Sequence, residues 1–304
     1  IMDTLKIATR ASPLAMWQSE YVKKLLLLSN PSLDIELIRV TTSGDKYLGS
    51  LSISGGKGLF VKELEQALIG KVADLAVHSM KDLPYSSPGD LEIVAILERE
   101  DPRDTLVTKE GISFCDLSPG SLIGTSSLRR KSQLLAIRPD IICKDLRGNV
   151  GTRIESLREN KFSAIVLASA GLRRLGLLTD NCFQFDVGEV LPAIGQGAIG
   201  VQALVGNNNV RKLLSPLQCD ISSASVTAER KMSAVLGGDC ASPIAGYARL
   251  EDKEFVMDGL VSDLEGKTVL RVRSVGQLSD PEALGEQVGC SLLIKGANKL
   301  LGGN

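Results

Sequence analysis

One histidine, His78, stands in the whole chain, which excludes His-rich metal sites and any catalytic triad that does not use it. Aromatic residues are scarce. Six Phe, four Tyr and one Trp are too few for base-stacking platforms or aromatic ligand cages to be the leading idea. Charge of one sign is lacking as well: 35 basic and 36 acidic residues leave −1, so the chain is no polycation seeking nucleic acid, and any basic site must be local. The six cysteines (Cys115, Cys143, Cys182, Cys219, Cys240, Cys290) include no C-x-x-C pair, neither a zinc pattern nor a secreted disulfide framework. No apolar run is long enough to cross a bilayer, and no basic-then-apolar leader precedes the first strand. These absences predict a cytoplasmic protein with no membrane or nucleic-acid partner, or a plastid stromal one if a transit peptide has been removed. Nothing marks an obvious apolar interface, so a monomer is expected.

With 304 residues, 43% hydrophobic and 23% charged, the chain reads as a soluble globular protein with more than one core. Residues 5–9 form a short buried strand pattern, and Ser12-Pro13 opens a helix with serine as cap and proline in the first turn. That helix carries an apolar stripe at Leu14, Trp17, Tyr21, Leu25 and Leu28. A strand at 35–40, a helix with Phe60, Leu64 and Leu68 on one face, and strands at 74–78 and 91–97 follow. This alternation implies a mostly parallel sheet covered on both faces. The charged run E-R-E-D-P-R-D at 98–104 interrupts it, a natural hinge, and the alternation restarts with strands at 122–124, 141–144 and 164–168. The last part changes grain. Residues 220–236 look helical, Phe255, Met257, Gly259 and Val261 alternate as an antiparallel strand, and Asp280-Pro281 caps a helix carrying Leu284, Val288, Leu292 and Leu300. The expected fold is α/β: two doubly wound lobes resembling type II periplasmic binding proteins, plus a small α+β C-terminal domain. The alternation divides the chain into an α/β unit up to residue 98, a second over residues 103–191 and the α+β part over residues 217–304.

Arginines recur where strands end and helices begin. Arg10 lies beside Ser12, Arg129 and Arg130 follow Ser127, Arg147 and Arg153 flank Asn149, and Arg174 follows the strand at 164–168. Ligands of open α/β sheets bind outside the carboxyl ends of strands, where helix N-termini offer free N–H groups and arginine adds forked donors. Read singly, each arginine is a solvated surface charge; read together, they suit a ligand bearing many carboxylates or phosphates. Lys81 and Asp82 sit just past the third strand, either as an exposed ion pair or with the carboxylate facing ligand N–H groups or a developing cation. His78 suits a hydrogen-bonded strand end better than a catalyst. The run Gly55-Gly56-Lys57-Gly58-Leu59-Phe60 lacks phosphate-loop spacing and reads as a glycine loop presenting Lys57. Cys240, in a turn-rich segment, is expected to be more accessible and reactive than the strand cysteine Cys143.

The segments Ile7-Ala8-Thr9-Arg10-Ala11-Ser12-Pro13-Leu14-Ala15, Val77-His78-Ser79-Met80-Lys81-Asp82, Arg99-Glu100-Asp101-Pro102-Arg103-Asp104, Gly124-Thr125-Ser126-Ser127-Leu128-Arg129-Arg130, Leu146-Arg147-Gly148-Asn149-Val150-Gly151-Thr152-Arg153 and Leu191-Pro192-Ala193-Ile194-Gly195-Gln196-Gly197-Ala198, together with the glycine loop, closely resemble the porphobilinogen deaminase (hydroxymethylbilane synthase) family. The resemblance implies a transferase of tetrapyrrole biosynthesis that joins four porphobilinogen molecules head to tail, releases ammonia and hydrolyses the product to linear hydroxymethylbilane. It implies a first domain of residues 1–98 with 195–216, a second of residues 103–191 inserted in it, a third of residues 217–304, and a dipyrromethane cofactor held by a thioether at Cys240. Lys81, Asp82, Ser127, Arg129, Arg130 and Arg147 would bind that cofactor, and Arg10, Ser12, Gln18, Lys57, Arg147, Arg153, Arg174 and Gln196 the substrate, with Asp82 the catalytic carboxylate. Each pyrrole ring carries an acetate and a propionate, so a growing chain needs many cationic partners. Asp239 departs from the small neutral residue that the family usually places before its cysteine, and would raise the thiol pKa. A non-catalytic two-lobed anion-binding protein is the competing expectation.

Overall fold

The computed structural model describes residues 4–42, 61–86, 88–238 and 242–302. The glycine loop with Lys57, and Asp239 with Cys240, lie outside the described residues. The chain divides into two compact units, residues 1–99 with 198–223 and residues 100–197 with 224–304.

The first unit is built on a five-stranded sheet. Strands β1 (Leu5–Arg10), β2 (Ile35–Val40) and β3 (Leu75–Ser79) run parallel in the order β2-β1-β3. Beyond β3 comes β10 (Ile199–Leu204), reversed, and then β4 (Leu91–Ile96). Helices α1 (Pro13–Ser29) and α2 (Lys62–Ile69) cover it, and α6 (Asn208–Leu214) packs near β4. Leu5, Ile7, Val22, Leu26, Leu75, Val77 and Val201 make one buried cluster, while Leu64 and Leu68 of α2 meet Ala8 and Ala76 in another. Ser12 caps α1 by accepting from the Ala15 amide, and Pro13 follows, as the sequence predicts. The buried stripe of α1 differs from the expected one. Gln18, Ser19, Val22 and Leu26 face inward, with Trp17 and Leu25 partly buried, whereas Tyr21 and Leu28 are exposed. A polar residue sits on the inner face because Gln18 has a partner there, Ser79.

The second unit repeats that layout. Strands β6 (Leu122–Gly124), β7 (Ile142–Lys144) and β8 (Ala164–Ala168) run parallel in the order β7-β6-β8, followed by the reversed β5 (Asp104–Thr108) and then β9 (Cys182–Gln184). Helices α3 (Leu128–Ile137), α4 (Val150–Arg158) and α5 (Ser169–Arg174) follow β6, β7 and β8. Ser127 caps α3 and Asn149 caps α4, each through its side-chain oxygen. In both sheets the reversed strand is one the charge and polar pattern disguises: neither Asp104–Thr108 nor Ile199–Leu204 alternates cleanly.

The same unit carries α7 (Asp220–Val235, from residue 224) and an antiparallel meander of β11 (Ile244–Glu251), β12 (Glu254–Ser262) and β13 (Val269–Gly276). From Phe255 on, every residue of β12 is buried. One face packs under α8 (Pro281–Ile294) and α7, and Leu260 on the other meets Leu191 and Ala245. The expected final helix is broken: Gly296 turns left-handed at φ 97°, and Leu300 belongs to a separate helix, α9 (Ala297–Leu300). Among the described residues no helix is long and apolar enough to cross a membrane.

Candidate active site

In the first unit, parallel β1 and β3 end on one edge of the sheet and deliver Arg10 and Ser12 beside Ser79 and a 3-10 turn, Met80–Asp82. These elements enclose a pocket whose polar lining is Arg10, Ser12, Gln18, His78, Ser79 and Asp82. Gln18 is buried and its Nε2 donates to Ser79 Oγ at 2.8 Å. Asp82 is half-buried, and its carboxylate makes no hydrogen bond or ion pair among the described residues. A carboxylate aimed into a pocket without a protein partner is available to ligand N–H groups or to a ligand cation.

His78 is 5% exposed, with Nε2 3.0 Å from Gln202 Oε1. Gln202 Nε2 donates in turn to Glu65 Oε1 at 3.1 Å. Since the amide must donate to the carboxylate, its oxygen faces the imidazole, which places the proton on Nε2. Burial, reinforced by the charge of Arg10, pushes the His78 pKa down to about 4. The pocket therefore contains a neutral imidazole, and among its described lining residues the cation is Arg10.

In the second unit the parallel strands β6 and β7 likewise end together, and their turns are tied: Ser126 Oγ donates to Leu146 O at 3.0 Å, and the Thr125 amide to Lys144 O at 2.9 Å. Ser127, Arg147 and Arg153 are thereby brought to one edge, all partly exposed, with Arg153 Nε fixed on Gly148 O at 2.8 Å. Gly148 takes φ 101°, a left-handed turn that lets the chain enter α4 directly after Arg147. Arg174 ends α5, its Nη2 donating to Gly197 O at 2.7 Å.

Arg129 and Arg130 are turned into the protein. Both are about 95% buried and share one carboxylate, Asp104, which is fully buried. Arg129 Nη1 lies 2.6 Å from Asp104 Oδ2, and Arg130 Nε and Nη2 lie 2.9 and 2.8 Å from Oδ1. Gln196 Nε2 adds a bond to Asp104 Oδ1 at 3.0 Å. The two guanidinium groups hold the Asp104 pKa far below the usual carboxylate range against its burial. Two cations on one anion leave a net positive charge under the start of α3. Ser79 and Asp104 were not singled out from sequence; Ser79 lies between His78 and Lys81, inside the segment that signalled the pocket, whereas Asp104 looked like one more member of a charged run. No cluster of His, Cys, Asp and Glu suited to a metal occurs among the described residues.

Residues 5–212 match the family model "Porphobilinogen deaminase, dipyromethane cofactor binding domain", and residues 223–294 that of its C-terminal domain. The chain belongs to the porphobilinogen deaminase family. A porphobilinogen deaminase of Thiobacillus denitrificans is 47% identical over 301 residues, covering 99% of this chain and 98% of that protein. One from Bordetella parapertussis is 46% identical over 301 residues, covering 99% and 96%. Among solved structures, the methionine-binding protein MetQ aligns with a TM-score of 0.46 at 15% identity, covering 73% of this chain and 92% of that one. The family's reaction, synthesis of hydroxymethylbilane by a transferase of tetrapyrrole biosynthesis, is this chain's reaction, and dipyrromethane its cofactor.

Proposed function

We propose that this reaction is carried by Asp82, with Cys240 holding the dipyrromethane through a thioether and the strand-end cations receiving the acetate and propionate groups. The observation that carries the reading is the Asp82 carboxylate, which lines the pocket of the first unit with no partner among the described residues. The donor chemistry of both units fits a polyacidic pyrrole chain: Arg10 and Ser12 in one, Ser127, Arg147 and Arg153 in the other, with the net charge of Arg129, Arg130 and Asp104 beneath. Lys81 and Arg174 extend that set, and Lys57, Gln18 and Gln196 complete it. Bound dipyrromethane supplies the primer to which the first substrate is joined. Asp82 accepts pyrrole N–H groups and stabilises the cation left when ammonia departs, a preorganised charge in a partly desolvated pocket. The same reading has the protein act as a cytoplasmic monomer on porphobilinogen rather than on nucleic acid, supported by its balanced charge.

Intact-protein mass spectrometry tests the attachment: the chain should carry the excess mass of two linked pyrrole units, lost on Cys240→Ala. An unmodified, inactive chain would favour an anion-binding protein instead. For Asp82→Asn, turnover should fall by about 10²-fold or more with folding intact. Near-normal turnover would reject its role.

A further inference from the structure

We infer that Gly200 and Met80 form a positioning pair that sets where the Asp82 carboxylate lies; this rests on the catalytic reading of Asp82 above. Asp82 has no side-chain bond of its own among the described residues, so its place is dictated by the 3-10 turn that bears it. That turn hangs from Met80. The Met80 amide donates to Ala198 O at 3.0 Å, and its side chain, 1% exposed, folds over Gly200 of β10. A Cβ on residue 200 would lie 2.1 Å from Met80 Sδ and 3.2 Å from Cγ, well inside van der Waals contact. Gly200 has no left-handed φ to require glycine, so close approach is the reason for it. Strand β10 is held by β3 and β4 on either side, with Gly200 opposite both His78 and Ile96 and paired before the register slip with β4 between Val201 and Gln202. The Met80 thioether is the flexible side of this contact, but at 1% exposure it can move only by repacking among buried neighbours, which shifts the turn that Met80 begins. A methyl at 200 therefore displaces the turn and carries Asp82 away, and a shift of about 1 Å in a reacting group can cost about 10²-fold in rate.

The test compares Gly200→Ala, Met80→Ala and the double variant as cofactor-loaded enzymes, with loading verified by intact mass. Gly200→Ala should lower kcat at least tenfold with little change in KM. Adding Met80→Ala removes the clashing sulfur and should recover much of kcat, even as the lost buried side chain lowers Tm further. Activity rising while stability falls is a signature that a merely structural glycine does not give. Unaltered kcat in Gly200→Ala, or a double variant no more active than the single one, overturns the inference. Should Gly200→Ala not fold alone, the double variant decides: with the sulfur gone it should fold and keep much of the kcat of the unsubstituted enzyme, whereas a double variant that also fails to fold, or that folds with kcat as low as Asp82→Asn, overturns the pair. Asp82→Asn, run alongside, separates the two readings. Normal turnover there removes the catalytic role itself, while an inactive Asp82→Asn beside a normal Gly200→Ala removes only the positioning.

Discussion

His78 lines the pocket beside Arg10 and Asp82, yet adds no charge to it. The unfolded chain takes up a proton on this residue near pH 6.5, whereas the folded chain refuses it until about pH 4. Folding is accordingly penalised as pH falls from 6.5 to 4, by up to about 3 kcal/mol, and no contribution remains above pH 6.5, where the ring is neutral in both states. Asp104 acts over the adjoining range. Its folded pKa is depressed, so the stability it contributes is present above its unfolded pKa and is lost as pH falls below about 4. The two effects follow one another down the acid scale. In His78→Gln the slope of Tm against pH between 6.5 and 4 should flatten while the loss below pH 4 persists; identical slopes in the two proteins would mean that His78 protonates freely in the folded state.

At the scale of elements, Asp104 shows why part of the fold was hidden in the sequence. An acidic residue closing the run E-R-E-D-P-R-D reads as solvent-facing, so the strand that it begins, Asp104–Thr108, was absorbed into the crossing. It is fully buried because α3 brings two guanidinium groups from over twenty positions further along. Ile199–Leu204 was missed for a related reason. Gly200 and Gln202 interrupt its apolar pattern, and each is explained by a distant partner, Met80 or His78. By contrast the caps at Ser12 and Asp280 were legible, since a cap bonds to a backbone three residues on. The site divides along the same line. Arg10, Ser12, Ser127, Arg147 and Arg153 announce themselves by their place at strand ends, while the burial of Arg129 and Arg130 depends on their carboxylate. Asp104→Asn removes that carboxylate and leaves two buried cations, which should cost about 3–5 kcal/mol in urea unfolding. A loss under 1 kcal/mol would show the guanidinium groups to be hydrated in the fold.

Across the second unit, helix α3 serves two partners. Its first turn presents Ser127, Arg129 and Arg130, and its later turns receive the β12–β13 hairpin of the C-terminal sheet. Ser262 Oγ donates to Ser132 Oγ at 2.6 Å, both hydroxyls buried. At the hairpin tip Gly266 lies against the helix so closely that a Cβ would stand 2.3 Å from Ser132 O and 2.6 Å from the Ala136 amide nitrogen. Neither atom can move without breaking the helix backbone. The sheet seated there begins with Ile244, four residues after Cys240, the residue proposed above to carry the cofactor. Gly266→Ala combines a left-handed φ of 71° with that clash, whereas Gly120→Ala meets a similar φ of 77° with open space around it. The Gly120 change should cost only the conformational strain, about 1–2 kcal/mol. Gly266→Ala should lower Tm by several degrees more and reduce the fraction of chains that carry the cofactor, read by intact mass. Equal melting and equal loading in the two variants would mean that the hairpin rests on α3 without holding it.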